Sequence, residues 1–320
     1  MLMELFSFYN VENLFLPDPK PKHKLDPTNS GLRNWDERKY KNKLFKIAHV
    51  FQMIKEQNAV LPFVIGLSEI SGRIVLEELI QLEPFNSEYG IVHYNSRDER
   101  KVDVALLYDK NKVEVIDSEA ITFFFETENK NTENYDTTRD VLYSKLKYKE
   151  EVIHVFVAHL PSKREKDINK PKRLFILSEI RKRILDIAYD NGNVILCGDF
   201  NENPDDENLA KILYGNSQEK ILENPFQQLF STGNYSTFHY KSGLLFDQII
   251  LSESFFKEDH MLSFQSAEIF KSAKISSRDK RFEGRPFRTY SGTRYLGGYS
   301  DHFPVFVTLG KRKNKCENIN

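Results

Sequence analysis

Six short apolar runs in this chain stop at, or start from, an acid, amide or imidazole that packing does not ask for. Phe6-Ser7-Phe8-Tyr9 runs into Asn10, and Phe63–Leu67 runs into Ser68-Glu69. Val155–Ala158 ends at His159, and Val194–Cys197 ends at Gly198-Asp199-Phe200-Asn201. Asp247 stands ahead of Ile249-Ile250-Leu251, and Ser300-Asp301-His302 ahead of Phe303–Val307. An ionised carboxylate beside a core is costly unless it is paired, hydrogen-bonded or bound to a metal. Taken singly, each has an ordinary reading, as a turn amide, a helix-start charge or a turn former before a proline. Six in one chain favour a common site. Oxygen donors without cysteine suit Mg²⁺, with Mn²⁺ as a substitute, better than zinc. Two histidines with acidic neighbours could then move protons and stabilise charge.

The elements along the chain must position these groups. Met1 to Tyr9 reads as a buried strand, and Pro17 to Arg33, with its prolines, as a long loop. From Trp35 to Gln57, Tyr40, Leu44, Ile47, Phe51 and Ile54 recur at spacings of 4, 3, 4 and 3, which predicts an amphipathic helix. A second helix is expected through Ile74, Leu76, Leu79 and Ile80, and a third over Arg173 to Tyr189. Strand-like runs cover Gly90–Tyr94, Val102–Tyr108, Lys112–Ile116, Ile121–Phe125, Val141–Tyr148 and Val152–Ala158. Asn193–Cys197, Gln248–Leu251 and Phe303–Leu309 complete the set. Helices and strands alternate at both ends, with consecutive strands between. This predicts an α/β chain with a mixed sheet pair covered by helices, in one domain over residues 1–310, followed by a short polar tail at 311–320.

Composition narrows the field. The 320 residues carry 46 Lys+Arg against 47 Asp+Glu, a net charge of −1, so the chain is not polycationic overall. Its 25 Phe and 15 Tyr are ample core material, which excludes disorder. Two cysteines, Cys197 and Cys316, lie far apart and make neither a disulfide scaffold nor a thiolate zinc site. The longest apolar run, Ala59 to Leu67, is too short to span a membrane and contains Pro62 and Gly66. The N-terminal stretch lacks a basic start and a small-residue cleavage site, and Glu4 interrupts it. A cytoplasmic protein with no membrane partner is expected.

At this point the residues carry a family resemblance. Asn10-Val11-Glu12-Asn13, Gly66-Leu67-Ser68-Glu69, His159, Gly198-Asp199-Phe200-Asn201, Asp247 and Ser300-Asp301-His302 resemble the ordered motifs of the endonuclease/exonuclease/phosphatase superfamily. That superfamily includes pancreatic-type deoxyribonucleases, apurinic endonucleases, inositol polyphosphate 5-phosphatases and neutral sphingomyelinases. The resemblance implies a four-layer α/β sandwich, two packed mixed β-sheets flanked by helices. It also implies that Glu69 and Asn10 bind the principal Mg²⁺, with Asp301 contributing from across the site. Asp199 and Asn201 would position or deprotonate the attacking water. His302 would contact the scissile phosphate, with Asp247 fixing its tautomer. His159 resembles the second histidine of the deoxyribonuclease branch, on the leaving-group side, and its presence argues against the apurinic branch. Arg139 resembles a phosphate-contacting arginine, and Asp103 is the expected partner of His159.

A local patch bears on the substrate. Lys271 to Arg294 holds eight Lys or Arg against Asp279 and Glu283, 8 − 2 = +6, interleaved with Phe282, Phe287 and Tyr290. It leads into Ser300-Asp301-His302. A positive loop beside a metal site suits a phosphate backbone. The expected activity is therefore Mg²⁺-dependent hydrolysis of nucleic-acid phosphodiesters, DNA or RNA. The rivals are a phosphatase of the same mechanism on a small or lipid phosphoester, and a non-catalytic nucleic-acid-binding module.

Overall fold

The protein is described by a computed structural model covering residues 3–19, 30–98, 101–125, 136–163 and 165–311. Two six-stranded mixed sheets form its centre. The first runs in the order Phe264–Ile269, Val305–Gly310, Met3–Leu14, Val64–Ile70, Asp103–Asp109, Tyr89–His93. The second runs in the order Leu222–Glu223, Asp247–Ser252, Asn193–Asp199, Glu151–His159, Val141–Tyr148, Val113–Ile121. Each sheet holds one parallel pair at its centre: Met3–Leu14 beside Val64–Ile70, and Glu151–His159 beside Asn193–Asp199.

Side-chain alternation explains the four layers, because successive residues of a strand face opposite ways. Phe6 and Phe8 point into an inter-sheet core with Val64, Leu106, Val155, Val157, Ile195, Cys197, Ile249 and Val305. Leu5, Tyr9 and Val11 point the other way, under the helix Glu37–Asn58 and the helix Arg73–Ile80. On the second sheet Phe156, Ala158, Val194, Leu196 and Ile250 face the helix Lys170–Tyr189. Strands buried on both faces read as continuous apolar runs, and these do. Each buried Phe or Leu contributes about 1.5–3 kcal/mol. Gly66 lets the sheets approach closely, since a Cβ there would lie 2.9 Å from Cys197 Sγ and 3.0 Å from the Phe8 ring.

The expected elements are present with local differences. Asp36 caps the first helix by accepting from Lys39 N–H, so the helix begins at Glu37. Trp35 therefore precedes it, buried, with its indole N–H donating to Phe15 O at 2.9 Å. Ile121–Phe125 is not one strand: Ile121 closes Val113–Ile121, and Phe124–Phe125 makes a separate two-residue pair with Asp136–Thr137. Leu174 and Ile74 face solvent, and the buried stripes run through Ile176, Leu177, Ile180 and Ile184, and through Val75, Leu76 and Leu79. Among the described residues, no helix is long and apolar enough to cross a membrane. Cys316 and the expected polar tail beyond residue 311 lie outside the described residues, as does most of the proline-rich loop.

Candidate active site

The site forms where the C-terminal ends of the two parallel pairs meet. Ligands bind beyond the carboxyl ends of strands in α/β folds for the same topological reason. In the second sheet the residues arrive by register alone: Asp199 lies opposite His159 on one side and opposite Asp247 on the other. His159, Asp199 and Asp247 thus form one transverse row.

In the first sheet they arrive through irregularities. The pairing of Met3–Leu14 with Val64–Ile70 shifts between Asn10 and Leu14, and the ladder on the other side of Val64–Ile70 shifts between Ser68 and Ile70. Glu12, Asn13 and Glu69 hold positive φ of 51°, 59° and 63°, a conformation that costs free energy outside glycine. The distortion aims Glu69 inward: its Oε2 accepts from Asn13 N–H at 3.1 Å. Asn201, the other site residue in this conformation (φ 50°), donates its backbone N–H to Asp199 Oδ1 at 3.0 Å and its amide to Leu160 O at 2.9 Å.

Asn10 joins the sheets. Its Nδ2 donates to Asp199 Oδ2 at 3.0 Å and lies 3.5 Å from Glu69 Oε1, while its Oδ1 accepts from Glu12 N–H. His159 Nε2 lies 3.7 Å from Asp199 Oδ2 and 3.9 Å from Glu69 Oε1. His302 enters from the third direction. Its Nδ1 is 2.6 Å from Asp247 Oδ2, which also accepts from Ser236 Oγ at 2.5 Å, and its Nε2 is 3.9 Å from Asp199. Ser300 Oγ donates to Asn10 O at 2.7 Å and accepts from His302 N–H, which fixes the Ser-Asp-His segment against the first strand.

Electrostatics follow from this crowding. Burial pushes the Asp199 carboxyl up to about 6, with Asp247 adding and His302 and the Asn10 amide opposing. Burial disfavours a charged His302, but Asp247, Asp199 and Asp301 outweigh it and hold the imidazole well above its ordinary value. For Asp301, burial is outweighed by His302 and by Arg288, whose Nη2 sits 2.7 Å from Oδ2, so its carboxyl is held low.

The donor set fits a divalent cation. Asp199, Asp247 and His302 offer ligand atoms within 4.8 Å of one another, and Glu69 faces the same space through Asn10. Asp247 Oδ1 is fully buried, and no described residue donates to it. Buried carboxylates outnumber the cationic side chains among them, a deficit that a bound divalent cation would correct.

The structure thus brings Asn10, Glu69, His159, Asp199, Asn201, Asp247 and His302 together, with Asp301 at the edge under Arg288. Arg139 Nη1 reaches Leu160 O at 3.3 Å, the same carbonyl that Asn201 holds. Asp103 is not beside His159. Its strand pairs it opposite Ile70 in the first sheet, where it meets His93 Nε2 at 3.0 Å and accepts from Ser96 N–H. Two supporting roles were not legible in the sequence, that of Glu12 within its motif and that of Lys43. Glu12 is buried and accepts from Thr289 and Tyr290 N–H, and Lys43 is buried and donates to Thr289 Oγ1 and Tyr299 O, both at 2.6 Å. Burial raises the Glu12 carboxyl and lowers the Lys43 ammonium. The signal for Lys43 was its place on the apolar stripe of its helix, three residues after Tyr40. Arg173 likewise ties the Glu202 carboxylate, beside Asn201, at 2.8 Å and Asp167 at 2.6 Å.

Comparison with known proteins agrees with this geometry. The family model described as endonuclease/exonuclease/phosphatase family matches residues 5–311. The chain belongs to that family, whose members are metal-dependent phosphoester hydrolases, and it is an enzyme of that class. Among solved structures, Danio rerio TDP2 complexed with a single-strand DNA product superposes with a TM-score of 0.58 at 18% identity, over 97% of this chain and 99% of that one. The Bacteroides thetaiotaomicron mannosyl-6-phosphatase gives 0.60 at 16% identity, over 96% and 99%. The human nocturnin catalytic domain with a bound sulfate gives 0.57 at 16%, over 96% and 94%. These likenesses establish the shared fold. A search of curated protein sequences gave no significant match.

Proposed function

We propose that the chain is a Mg²⁺-dependent nuclease that hydrolyses DNA or RNA phosphodiesters by in-line attack of water. The observation that carries this reading is the attachment of the +6 segment Lys271–Arg294 to the site. Arg288 is held by Asp301, and the backbone N–H groups of Thr289 and Tyr290 are held by Glu12. A positive surface therefore borders the place where a phosphate would lie. Lys274, Arg278, Lys280 and Arg294 make no ion pair among the described residues and are available to a backbone. The same fold accommodates a single-strand DNA product in the zebrafish relative.

In this reading Glu69 is the principal carboxylate for the metal, with Asn10 and Asp301 bordering it. Bound there, Mg²⁺ supplies Lewis-acid stabilisation of charge on phosphate oxygens. Asp199, oriented by Asn10 and Asn201, takes the proton from the attacking water. His302, kept protonated by Asp247, donates to a phosphate oxygen, and His159 serves the departing oxygen. A cytoplasmic setting is part of the proposal, consistent with Cys197 buried as a free thiol.

The test is a supercoiled-plasmid nicking assay and a single-stranded RNA cleavage assay, with and without EDTA, beside inositol phosphate and sphingomyelin. EDTA-sensitive cleavage of either nucleic acid is expected. Turnover of a small phosphoester with both nucleic acids intact would overturn the proposal in favour of a phosphatase.

A further inference from the structure

Arg285 of the basic segment ties Phe282 of the same segment to a hairpin that carries Tyr240. The hairpin formed by Thr237–His239 and Ser242–Leu244 is rooted in the active site. Ser236 Oγ donates to Asp247, Thr237 Oγ1 donates to Asp301 O at 2.8 Å, and Thr237 bridges His302. Tyr240 sits at the tip, three residues beyond Thr237, or about 10 Å along a strand.

Tyr240 is 83% exposed, and it holds φ 49°. A bulky side chain in the left-handed region costs free energy, and an exposed ring returns none to the core. Arg285 stiffens the tip. Its Nη1 donates to Tyr240 O at 2.5 Å, and its guanidinium lies 5.2 Å from the Phe238 ring and 5.2 Å from the Phe282 ring. Phe282 is itself 44% exposed, with Arg281 over it at 5.6 Å. His239 adds an edge-on ring 4.6 Å from Tyr240. Scattered exposed aromatics need no explanation, but two large exposed rings tied to one arginine, on a hairpin rooted in the candidate site, do.

We infer that Tyr240, Phe282 and Arg285 form a stacking platform for the bases of single-stranded nucleic acid, on the hairpin that leads away from the candidate active site. This rests on the nuclease reading and deepens it to unpaired strands. Rings accept any base face, the Arg285 guanidinium against Phe282 contributes cation–π attraction, and the +6 segment supplies complementary charge for the backbone. Duplex DNA keeps its base faces stacked internally and offers the rings nothing.

The experiment compares a labelled single-stranded oligonucleotide with one of the same length carrying abasic sites, by fluorescence anisotropy in EDTA and by cleavage in Mg²⁺. For the wild type, the base-bearing strand should bind more tightly. Tyr240→Ala and Phe282→Ala should each reduce that preference about tenfold, leaving the slope of binding against salt as it was, because phosphate contacts remain. Tyr240→Asn should reduce the preference equally yet melt at a higher temperature, since Asn tolerates the left-handed backbone. An unchanged preference in all three variants, with oligonucleotide cleavage intact, would overturn the platform and leave the nuclease reading standing. A wild type that hydrolyses bis(4-nitrophenyl) phosphate but neither binds nor cleaves any oligonucleotide would overturn both.

Discussion

The two sheets deliver their functional groups by different means. In the second sheet the two ladders at the site are undistorted, and His159, Asp199 and Asp247 are neighbouring rungs. The first sheet breaks its ladders at Asn10–Leu14 and Ser68–Ile70 and holds Glu12, Asn13 and Glu69 in left-handed backbone. A regular ladder places a residue on one of two faces only. A carboxylate that must point beyond the strand end, toward the other sheet, needs a bulge to re-aim it. In the proposed mechanism the unshifted ladders would supply the water and phosphate chemistry from one row, and the distorted ladders the carboxylate that faces it.

The largest expected effect tests whether the distorted sheet holds the metal. Glu69→Gln removes an anionic oxygen at almost constant volume and should lower turnover by roughly 10³-fold, with the melting temperature retained. Unchanged turnover at limiting Mg²⁺ would remove Glu69 from the site.

Next come the two histidines. His302→Ala should depress turnover on every substrate if, as proposed, it acts on the phosphate. His159→Ala should lose ~10²-fold on a natural ester, whose alkoxide leaving group needs a proton, and far less on a nitrophenyl ester. Equal losses on both substrates would reassign His159 to phosphate stabilisation.

A third prediction concerns stability in EDTA. Asp199 is raised to about 6 and Glu12 to about 7, and His302 stands above its ordinary value, so the folded chain binds protons more readily than the unfolded chain. Stability from these groups is present at low pH and lost as pH rises through the folded values. The melting temperature should fall by several degrees between about pH 5.5 and about pH 8. Mg²⁺ should flatten that fall. A melting temperature that rises over this window would contradict the buried, uncompensated carboxylate row.

The smallest effect isolates the bulge. Asn13→Gly keeps the N–H that holds Glu69 and relieves the positive φ, so stability should stay within about 1 kcal/mol and turnover should persist. A large loss would show that the Asn13 side chain, not the backbone, orients Glu69.

Much of this was legible in the sequence because the buried strands are apolar on both faces, so a polar residue at a strand end stands out. The helix spacing from Tyr40 to Ile54, the alternating element order and the ordered motifs from Asn10 to His302 were sufficient for the fold and for the residues that converge. Contacts between residues far apart in the chain were decided only by tertiary structure. Asp103 and His159 looked like partners by type, but strand register sends Asp103 to His93 in the other sheet. Arg288 is one of the eight cations counted in the basic segment, yet it pairs with Asp301, and Arg285 reaches back to the hairpin tip. Glu12 and Lys43 are buried polar groups whose partners lie more than two hundred residues away in sequence. Sequence periodicity reports which face a residue takes, because that depends on its own strand or helix. Which charge it meets there depends on how separate elements pack, and no local pattern encodes that.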